Sequence, residues 1–528
     1  MLPSAGARRR EVGRLDNDHF SAAKKRNGAN GQGQRMKRLV VALLGAAAGF
    51  ACAGAQAADL PTAKPAPAPA AKACFDSLWD YMDSTPKECP LAWWGITLFG
   101  VIDAGYGYSS HGANFNGAYP QGVAELIAKY SQGSKWEFVP SGLQRSSIGL
   151  DAKEEFAPGW SFVGRVSANF DPYSLQFSNG PKSLVENNNL TIGNQSSNSD
   201  SSRAGQFDNS QGYVGVSNTT YGTLTVGRQN AFGDEIQYKY DANGGDYAFS
   251  LIGNSSTYLN GVGDTETARY NSVVKYLVYY NNFHAGALWQ FGGYELGNGS
   301  DGAFQFEGGG DIGGFSFDAI YSYARDAVSL SAYSADPLPK GVTQDDLKAT
   351  LADISGVILA GKYTYQQVTL YGGYEFAVFM PPSYNYPGGF GSLGGYTVLP
   401  SGVNSTAYID NKQLQVAWTG VKYAVRSDLD ISGAYYIAHQ NDYRPPGAKS
   451  TVCGPNTVAA VPGASPQGSL NTYCAGDLQA VSFLIDYRPL KRLDVYGGML
   501  YSIASGGIAS GYIHSNNFAP TVGVQLSF

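Results

Sequence analysis

Long apolar runs and charged residues are both scarce in this sequence. Beyond residue 57, no apolar stretch reaches the ~18 residues that suggest a membrane-spanning helix. Charged residues make up only 15% of the chain. Residues 1–57 carry ten basic and three acidic side chains, so the remainder has 26 Lys and Arg against 39 Asp and Glu, a net charge near −13. This balance disfavours nucleic acid as a partner.

Cysteine and histidine are also rare, with five of each in 528 residues. The cysteines form no C-x-x-C pair, and no G-x-S-x-G segment is present. Beyond the N-terminal region the histidines are His111, His284, His439 and His514. None of them shows the spacing of a metal or nucleophile site, so we predict no cofactor, no metal and no enzymatic activity.

The N-terminal region resembles a secretory leader. Met36-Lys37-Arg38 is a basic segment, residues 39–54 are apolar and rich in Ala, and Ala55-Gln56-Ala57 is a small-x-small cleavage site. We predict that residues 1–57 are leader, with Met36 as the true start and a signal peptide over 36–57. A membrane-anchoring helix and a lipoprotein signal at Cys52 are weaker alternatives.

Residues 58–90 divide into an Ala/Pro/Lys linker, 58–73, and a segment bounded by Cys74 and Cys89. With Cys453 and Cys474 the mature chain has four cysteines, which allow three pairings. The local pairings, 74–89 and 453–474, close short loops, and an oxidising periplasm permits both. We interpret the Cys-bounded segment as a periplasmic plug, a rim contact or a spacer.

From Trp94 to Phe528, short segments of alternating apolar and polar residues are joined in turn by seven tight turns and eight long gaps. Sixteen antiparallel strands need this arrangement, with short turns at one rim and long loops at the other. We therefore predict an all-β fold over 91–528, a transmembrane sixteen-stranded antiparallel β-barrel in the bacterial outer membrane. The predicted strands are 94–108, 145–156, 160–171, 211–218, 222–230, 267–280, 283–295, 303–311, 314–326, 354–366, 368–380, 410–426, 428–442, 477–488, 493–505 and 516–528.

Alternation within these segments assigns their faces. In the last segment Phe518, Val522 and Val524 share one face, while Thr521 and Gln525 share the other. We predict that the apolar face contacts lipid and that the polar face lines a wet interior, because an unsatisfied polar group in hydrocarbon is costly.

Several of these segments resemble strands of the Gram-negative general porin family, and the Cys-bounded preamble resembles its alphaproteobacterial branch. The matching segments are Gly95-Ile-Thr-Leu-Phe-Gly-Val-Ile-Asp-Ala-Gly105, Arg145-Ser-Ser-Ile-Gly-Leu150, Gln211-Gly-Tyr-Val-Gly-Val-Ser217, Tyr221-Gly-Thr-Leu-Thr-Val-Gly-Arg-Gln229, Arg269-Tyr-Asn-Ser-Val-Val-Lys-Tyr276 and Val524-Gln-Leu-Ser-Phe528. The resemblance implies a homotrimer that passes small hydrophilic solutes and ions by diffusion. It also implies that the barrel assembly machinery reads the chain end at Phe528.

The resemblance further implies that the third long loop, here 231–266, folds into the lumen and sets a constriction. Acids on this loop would face bases on the wall, and the two would create a transverse field across a narrow, water-filled pore. Arg228, by parity, faces away from the lumen. The implied constriction residues are Asp234, Glu235, Asp241 and Asp246 on the loop, and Arg145, Arg165, Arg269 and Lys275 on the wall.

Three alternatives to a general-diffusion channel remain at this point. A substrate-specific sugar channel would show eighteen strands and an aromatic track along the lumen. An adhesion barrel would have a plugged lumen, for which the long gaps 109–144 and 172–210 are the only indication. A lumenal Ser/His hydrolase is the third.

Overall fold

β-Strands make up most of the fold, and their bounds follow the predicted segments closely. They are β1 Leu91–Trp93, β2 Ile96–Ser109, β3 Lys135–Pro140, β4 Ser147–Ala157, β5 Trp160–Asn169, β6 Gly212–Asn218, β7 Gly222–Asn230, β8 Arg269–Tyr280, β9 Phe283–Gln290, β10 Gly302–Ile312, β11 Phe315–Ala332, β12 Asp346–Tyr365, β13 Val368–Met380, β14 Phe390–Leu393, β15 Tyr396–Asn404, β16 Lys412–Arg426, β17 Leu429–Gln440, β18 Gly476–Leu490, β19 Leu493–Gly506 and β20 Asn516–Ser527.

The computed structural model describes only part of the chain, all of it within the unit 72–528. The described residues are 74, 76–112, 125–127, 133–175, 210–245, 248–253, 269–293, 300–332, 338–343, 346–393, 396–444, 474–509 and 513–528. The predictions for the leader, the linker, Asp246 and Cys453 lie outside them. Within these ranges the helical segments include Leu78–Met82, Phe232–Tyr240, residues 251–253 and the short 3₁₀ turn Gly507–Ala509. No helix in the described ranges combines the length and the apolar character needed to cross a membrane.

The sheet closes into a ring of sixteen strand positions, or staves, of which each holds one strand except the second, which holds two. The first stave, β2, pairs along one edge with β20 and along the other with β3 and β4, which together form the second stave. From β4 to β13 each strand pairs with the next, β13 then pairs with β16, and the order continues to β20. This order confirms the predicted sixteen-stranded antiparallel barrel.

Backbone hydrogen bonds fix the seam between the first and last staves. The N–H of Gly100 donates to the carbonyl of Phe528 at 3.0 Å, and the N–H of Phe528 donates back to Gly100 at 2.9 Å. A Cβ atom at position 100 would lie 2.2 Å from the Phe528 ring. Glycine at this position therefore makes room for the terminal aromatic ring, and the closed seam leaves no open edge between these staves.

Side-chain exposure confirms the predicted faces. In β20, Phe518, Val522 and Val524 are 40, 59 and 45% exposed, whereas Thr521 and Gln525 are 2 and 8% exposed. The same alternation recurs around the barrel, where the exposed apolar side chains include Ile148, Leu150, Val214, Val226, Leu359, Leu370, Val421, Val481, Ile485, Val495 and Ile503. The apolar outer surface is the one that a barrel presents to lipid.

The second stave is interrupted, which the sequence did not predict. β3 lies within the predicted long gap 109–144, and the chain leaves the ladder at Ser141, where φ is +61°. The carboxylate of Asp103 on β2 then accepts the N–H groups of Gly142, Leu143 and Gln144 at 3.1, 2.8 and 2.9 Å. These bonds satisfy backbone donors that the broken ladder leaves unpaired.

Two other long connections also contain more structure than predicted. β11 and β12 continue well past the predicted ends at 326 and 354, across an irregularity between Ala324 and Ala327. β14 and β15 form an added hairpin between β13 and β16, and β15 lies parallel to β12. Buried side chains including Val328, Leu351 and Phe390 pack these segments into a second apolar cluster.

The Cys-bounded segment packs against the barrel at the turn between β18 and β19. A disulfide joins Cys74 and Cys89, as one of the local pairings proposed, and Cys474 is also disulfide-bonded. The fully buried Arg492 donates to the carbonyls of Tyr81, Thr85 and Cys89 at 2.9, 3.2 and 2.6 Å. Of the three roles considered for this segment, these bonds to a turn at the end of two strands fit a contact with the barrel rim.

The face assignment predicts the effect of a charge on the outer surface. Val226 lies mid-strand in β7 and is 49% exposed. Val226→Arg should cost about 2–4 kcal/mol, because the guanidinium would face hydrocarbon near the bilayer midplane. Heat-modifiable, folded protein in outer-membrane fractions measures assembly. Val226→Leu is the matched control, and equal yields of the two variants would contradict the assignment.

Candidate constriction site

The connection between β7 and β8 begins with a helix that is held to the barrel wall. The helix Phe232–Tyr240 follows Ala231, whose side chain makes no cap bond, and the N–H of Phe232 instead donates to Oε1 of Gln305 on β10 at 2.7 Å. Its first turn is acidic and its last turn carries Lys239, which suits the helix dipole.

The far end of this helix is bound to the opposite side of the ring. The indole N–H of Trp418 on β16 donates to the carbonyl of Tyr240 at 2.9 Å. The hydroxyl of Tyr436 on β17 donates to Oδ1 of Asp241 at 2.7 Å. Because β16 and β17 lie across the barrel from β7 and β8, the connection must cross the lumen.

Asn243 makes a second polar anchor just beyond the helix. Its amide nitrogen lies 2.8 Å from the carbonyl of Phe249 and 2.6 Å from Oγ of Ser482 on β18. Its amide oxygen accepts from Oγ of Ser432 on β17 at 2.7 Å. A buried amide with both ends bonded fixes the orientation of this segment, since leaving either end unpaired would be costly.

Apolar packing reinforces these bonds. One cluster joins side chains of the connection to inward-facing side chains of the wall, so part of the lumen is filled by a packed core rather than by water. Its members from the connection include Phe232, Ile236, Tyr240, Ala242, Leu251 and Ile252, and those from the wall include Ile358, Val416, Trp418, Tyr436, Leu478 and Leu500. This packing is a departure from the uniformly polar interior that alternation predicts.

The predicted loop acids do not all face solvent. Asp234 and Asp241 are 0 and 1% exposed, whereas the side chain of Glu235 is 46% exposed. Asp241 accepts from Tyr436 and from the N–H of Gly245 at 3.0 Å, and burial raises the pKa of its carboxyl. Asp241 therefore fixes the fold of the connection, and Glu235 is the most exposed of the three described loop acids.

Acid and base are in direct contact at this site. Nζ of Lys275 on β8 lies 2.8 Å from Oε1 of Glu235, 3.2 Å from the carbonyl of Asn230 and 4.3 Å from the centre of the Phe232 ring. The expectation was that loop acids and wall bases face each other across the pore. Glu235 and Lys275 instead form an ion pair where the connection leaves the wall.

The three predicted arginines have different surroundings. Arg165 makes a two-pronged bond to Asp151, with both N–O distances 2.6 Å. Arg145 and Arg269 are 8 and 7% exposed, and both interact electrostatically with Tyr238 on the loop helix. Arg145 and Arg269 thus lie close to the loop helix, and Arg165 is paired with an acid on the neighbouring strand.

Alternation of faces breaks near the start of β8, so a count along the strand does not give the face of Arg269, although Arg269 does lie close to Tyr238 of the loop helix. Ser272 has φ of +54°, and the pairing of β8 with β7 shifts register there. Tyr270 and Val273, three positions apart, both join the inward apolar cluster. An extra residue in a strand reverses the alternation beyond it, which a count along the sequence does not detect. Arg228 bonds to the carbonyl of Ser210 and to Oδ1 of Asn271, at 2.8 and 2.7 Å.

Sequence reasoning missed the residues that hold the connection in place. Trp418, Tyr436 and Asn243 were not predicted, since each acts on a partner far along the chain. Lys239 was not among the predicted constriction residues, yet its Nζ lies 3.0 Å from Oδ2 of the buried Asp318 on β11. An inward-facing aromatic residue with a polar atom was the available sign for Trp418 and Tyr436.

Comparisons with known proteins agree with this architecture. A family model described as Gram-negative porin matches residues 40–505. The anion-selective porin from Comamonas acidovorans is similar in structure, with 14% identity, a TM-score of 0.50, and coverage of 82% of this chain and 99% of that one. Outer-membrane expressed OmpT of Vibrio cholerae is 14% identical, with a TM-score of 0.48 and coverage of 83% of this chain and 100% of that one. The Salmonella typhi OmpF complex with daunomycin is 12% identical, with a TM-score of 0.41 and coverage of 82% of this chain and 98% of that one. No curated protein sequence matches this chain.

A closed sixteen-stranded barrel with an apolar outer face and a connection folded across its lumen defines an outer-membrane channel protein. The family match extends from the N-terminal region to β19 and so covers most of the chain. The chain belongs to the Gram-negative porin family. It is accordingly a protein of the outer membrane, and its family and fold are those of a channel.

The anchors of the connection predict a specific loss of rigidity. Tyr436→Phe removes one donor from the buried carboxyl of Asp241 and should weaken docking by about 1.5–3 kcal/mol, because the bond is to a charged or readily charged group. Limited proteolysis of folded protein should then cleave the connection faster. Tyr435→Phe is the matched control, since Tyr435 faces outward and donates to Gln479 instead. Equal cleavage rates in both variants would contradict the docking.

Proposed function

We propose that this porin passes small hydrophilic solutes and ions by passive diffusion, with no chemistry of its own, and that the connection between β7 and β8 sets the size limit. The observation that carries the proposal is the anchoring of this connection to both sides of the ring, by Lys275 at its root and by Trp418 and Tyr436 at its far end. The space left beside a fixed connection has a defined cross-section, so solutes above a certain size are excluded.

We also propose that the ion preference of the pore depends on a near-balance of charge. Glu235 and Lys275 neutralise each other, and Arg165 is neutralised by Asp151. Arg145 and Arg269 contribute positive potential beside the loop helix. Asp234 and Asp241 act in this proposal by holding the connection rather than by facing solute, and Asp246 is retained as a loop acid by its place in the sequence. The sixteen staves do not match the eighteen expected of a sugar-specific channel.

The Glu235–Lys275 pair gives an experiment with two opposite outcomes. Glu235→Gln leaves Lys275 unpaired and should shift the reversal potential of single channels toward the value for an anion-selective pore. Lys275→Gln should shift it toward the value for a cation-selective pore. Salt gradients across planar bilayers measure both. Arg426→Gln, at a surface pair with Asp428, is the control that should leave the potential unchanged. Shifts of the same sign, or none, would remove this pair from the pore.

We further propose that the protein assembles as a homotrimer. An aromatic cluster on the outer face of the first two staves supports this and marks the subunit contact. Trp136 and Phe138 are 64 and 60% exposed, and their rings lie 5.7 and 5.5 Å from Tyr106. Phe138 also lies 4.9 Å from Tyr173. Aromatic side chains provide much of the affinity at many interfaces, because they bury a large area in few rotamers. We retain the interpretation that Phe528 is read by the assembly machinery.

A pair of truncations tests the proposed contact. Trp136→Ala together with Phe138→Ala should lower the temperature at which the trimer dissociates on semi-native gels, while the monomer barrel stays folded. Phe283→Ala and Phe306→Ala, at exposed aromatics on β9 and β10, form the control pair. Equal effects of the two pairs would show that the cluster only contacts lipid.

A further inference from the structure

His284, Glu307 and Asp318 converge on the lumen side where β9, β10 and β11 adjoin. One ligand atom from each lies within 4.8 Å of the other two. Nε2 of His284 is 2.7 Å from Oδ1 of Asp318 and 3.7 Å from Oε1 of Glu307. An imidazole nitrogen and two carboxylate oxygens therefore meet here, and this is a donor set that divalent transition metals prefer.

Strand pairing, rather than loop structure, fixes this group. His284 lies opposite Gly309, and Gly309 lies opposite Asp318, so the three positions form one row across the sheet. A Cβ atom at position 309 would lie 1.7 Å from Oδ1 of Asp318 and 2.7 Å from the His284 ring. The missing side chain at Gly309 is therefore what allows His284 and Asp318 to meet across β10.

The charges of the group are incompletely balanced. The side chains of His284, Glu307 and Asp318 are 6, 9 and 2% exposed. Lys239 lies 3.0 Å from Oδ2 of Asp318, which leaves Oδ1 to face the group. Within the described part of the chain no hydrogen bond to the Glu307 carboxylate is found, although its side chain is nine-tenths buried. A buried carboxylate without a donor is costly unless a cation or a proton joins it.

There is room for an ion beside these ligands. A cavity of about 250 Å³ lies between the loop helix and the wall, and all three side chains line it together with Glu235 and Lys239. A bound water occupies ~30 Å³, so the cavity can hold an ion with its remaining water ligands. Glu307 thus points a nearly buried carboxylate into a space of suitable size.

We propose that His284, Glu307 and Asp318 bind one Zn²⁺ per chain. Zn²⁺ takes three protein ligands and a water at ~2.0–2.2 Å, the number of ligands that these three side chains and a water in the cavity would supply. Lys239 bonds to the second oxygen of Asp318, the kind of outer contact that orients a ligating carboxylate. With neutral imidazole the two carboxylates and Lys239 carry a net charge of −1, which favours a divalent cation. The bound ion would join three staves to the loop helix through Lys239.

Two other histidine arrangements provide controls. His439 lies 2.7 Å from Asp477 at a half-exposed pair, and His111 stacks on His514 with ring centres 3.7 Å apart. The first pair brings only two ligands together, and parallel stacked rings do not direct their nitrogens at one point. A variant with both His439→Gln and His514→Gln should therefore bind Zn²⁺ as the unaltered protein does.

The test is Zn²⁺ titration of folded, chelator-treated protein in detergent by calorimetry, with Co²⁺ absorption as a second readout. We expect one Zn²⁺ per chain and visible Co²⁺ bands of a nitrogen- and oxygen-ligated site. His284→Gln and Glu307→Gln should each weaken binding at least tenfold, and heat-modifiability confirms that each variant is folded. Glu307→Gln keeps the side-chain volume, so its Zn²⁺ affinity tests the proposal even if His284→Gln does not fold. No Zn²⁺ binding, binding that survives both changes, or loss only in the His439/His514 variant would overturn the proposal. None of these outcomes bears on diffusion through the pore.

Discussion

Pairing of every backbone amide within the bilayer is the constraint on which this fold depends. Hydrocarbon offers no partner to a free N–H or carbonyl, so a sheet that crosses the membrane must close. Here closure occurs where β20 meets β2, and the reciprocal bonds between Gly100 and Phe528 complete it. The rim contact of the Cys-bounded segment, held by Arg492, lies at the turn that leads into the penultimate stave. The Cys-bounded segment and the chain end thus contact neighbouring parts of the barrel.

A closed ring also creates the problem that the connection between β7 and β8 solves. A barrel of sixteen staves encloses more space than its own side chains fill. The connection occupies part of that space and is bound by Gln305 at its start and by Trp418 and Tyr436 at its end. Its apolar side chains join a cluster with wall residues of β8 and β9 as well as of β16 and β17, and its exposed acid, Glu235, pairs with Lys275.

Sequence reasoning succeeded where the signal is periodic. Strand count, turn positions and the faces of β19 and β20 follow from alternation, because a half-buried strand must alternate and the pattern repeats sixteen times. It failed where one residue changes the geometry. Ser141 interrupts the second stave, and the irregularity at Ser272 reverses the alternation of faces between Lys275 and Arg269. Both result from backbone angles that no composition rule predicts. Burial of Asp241 likewise depends on partners such as Tyr436, which is distant in the chain. The row formed by His284, Gly309 and Asp318 exists only once the register of three strands is known.

Polymer exclusion is the most direct measurement of whether the docked connection sets the pore. Single-channel conductance is recorded with polyethylene glycols of increasing size, for the full protein and for a variant in which residues 232–253 are replaced by a short Gly/Ser linker. The account predicts ohmic channels in both, with a distinctly larger exclusion size in the variant. An unchanged exclusion size, or a full-length protein that forms no conducting channel, would contradict it.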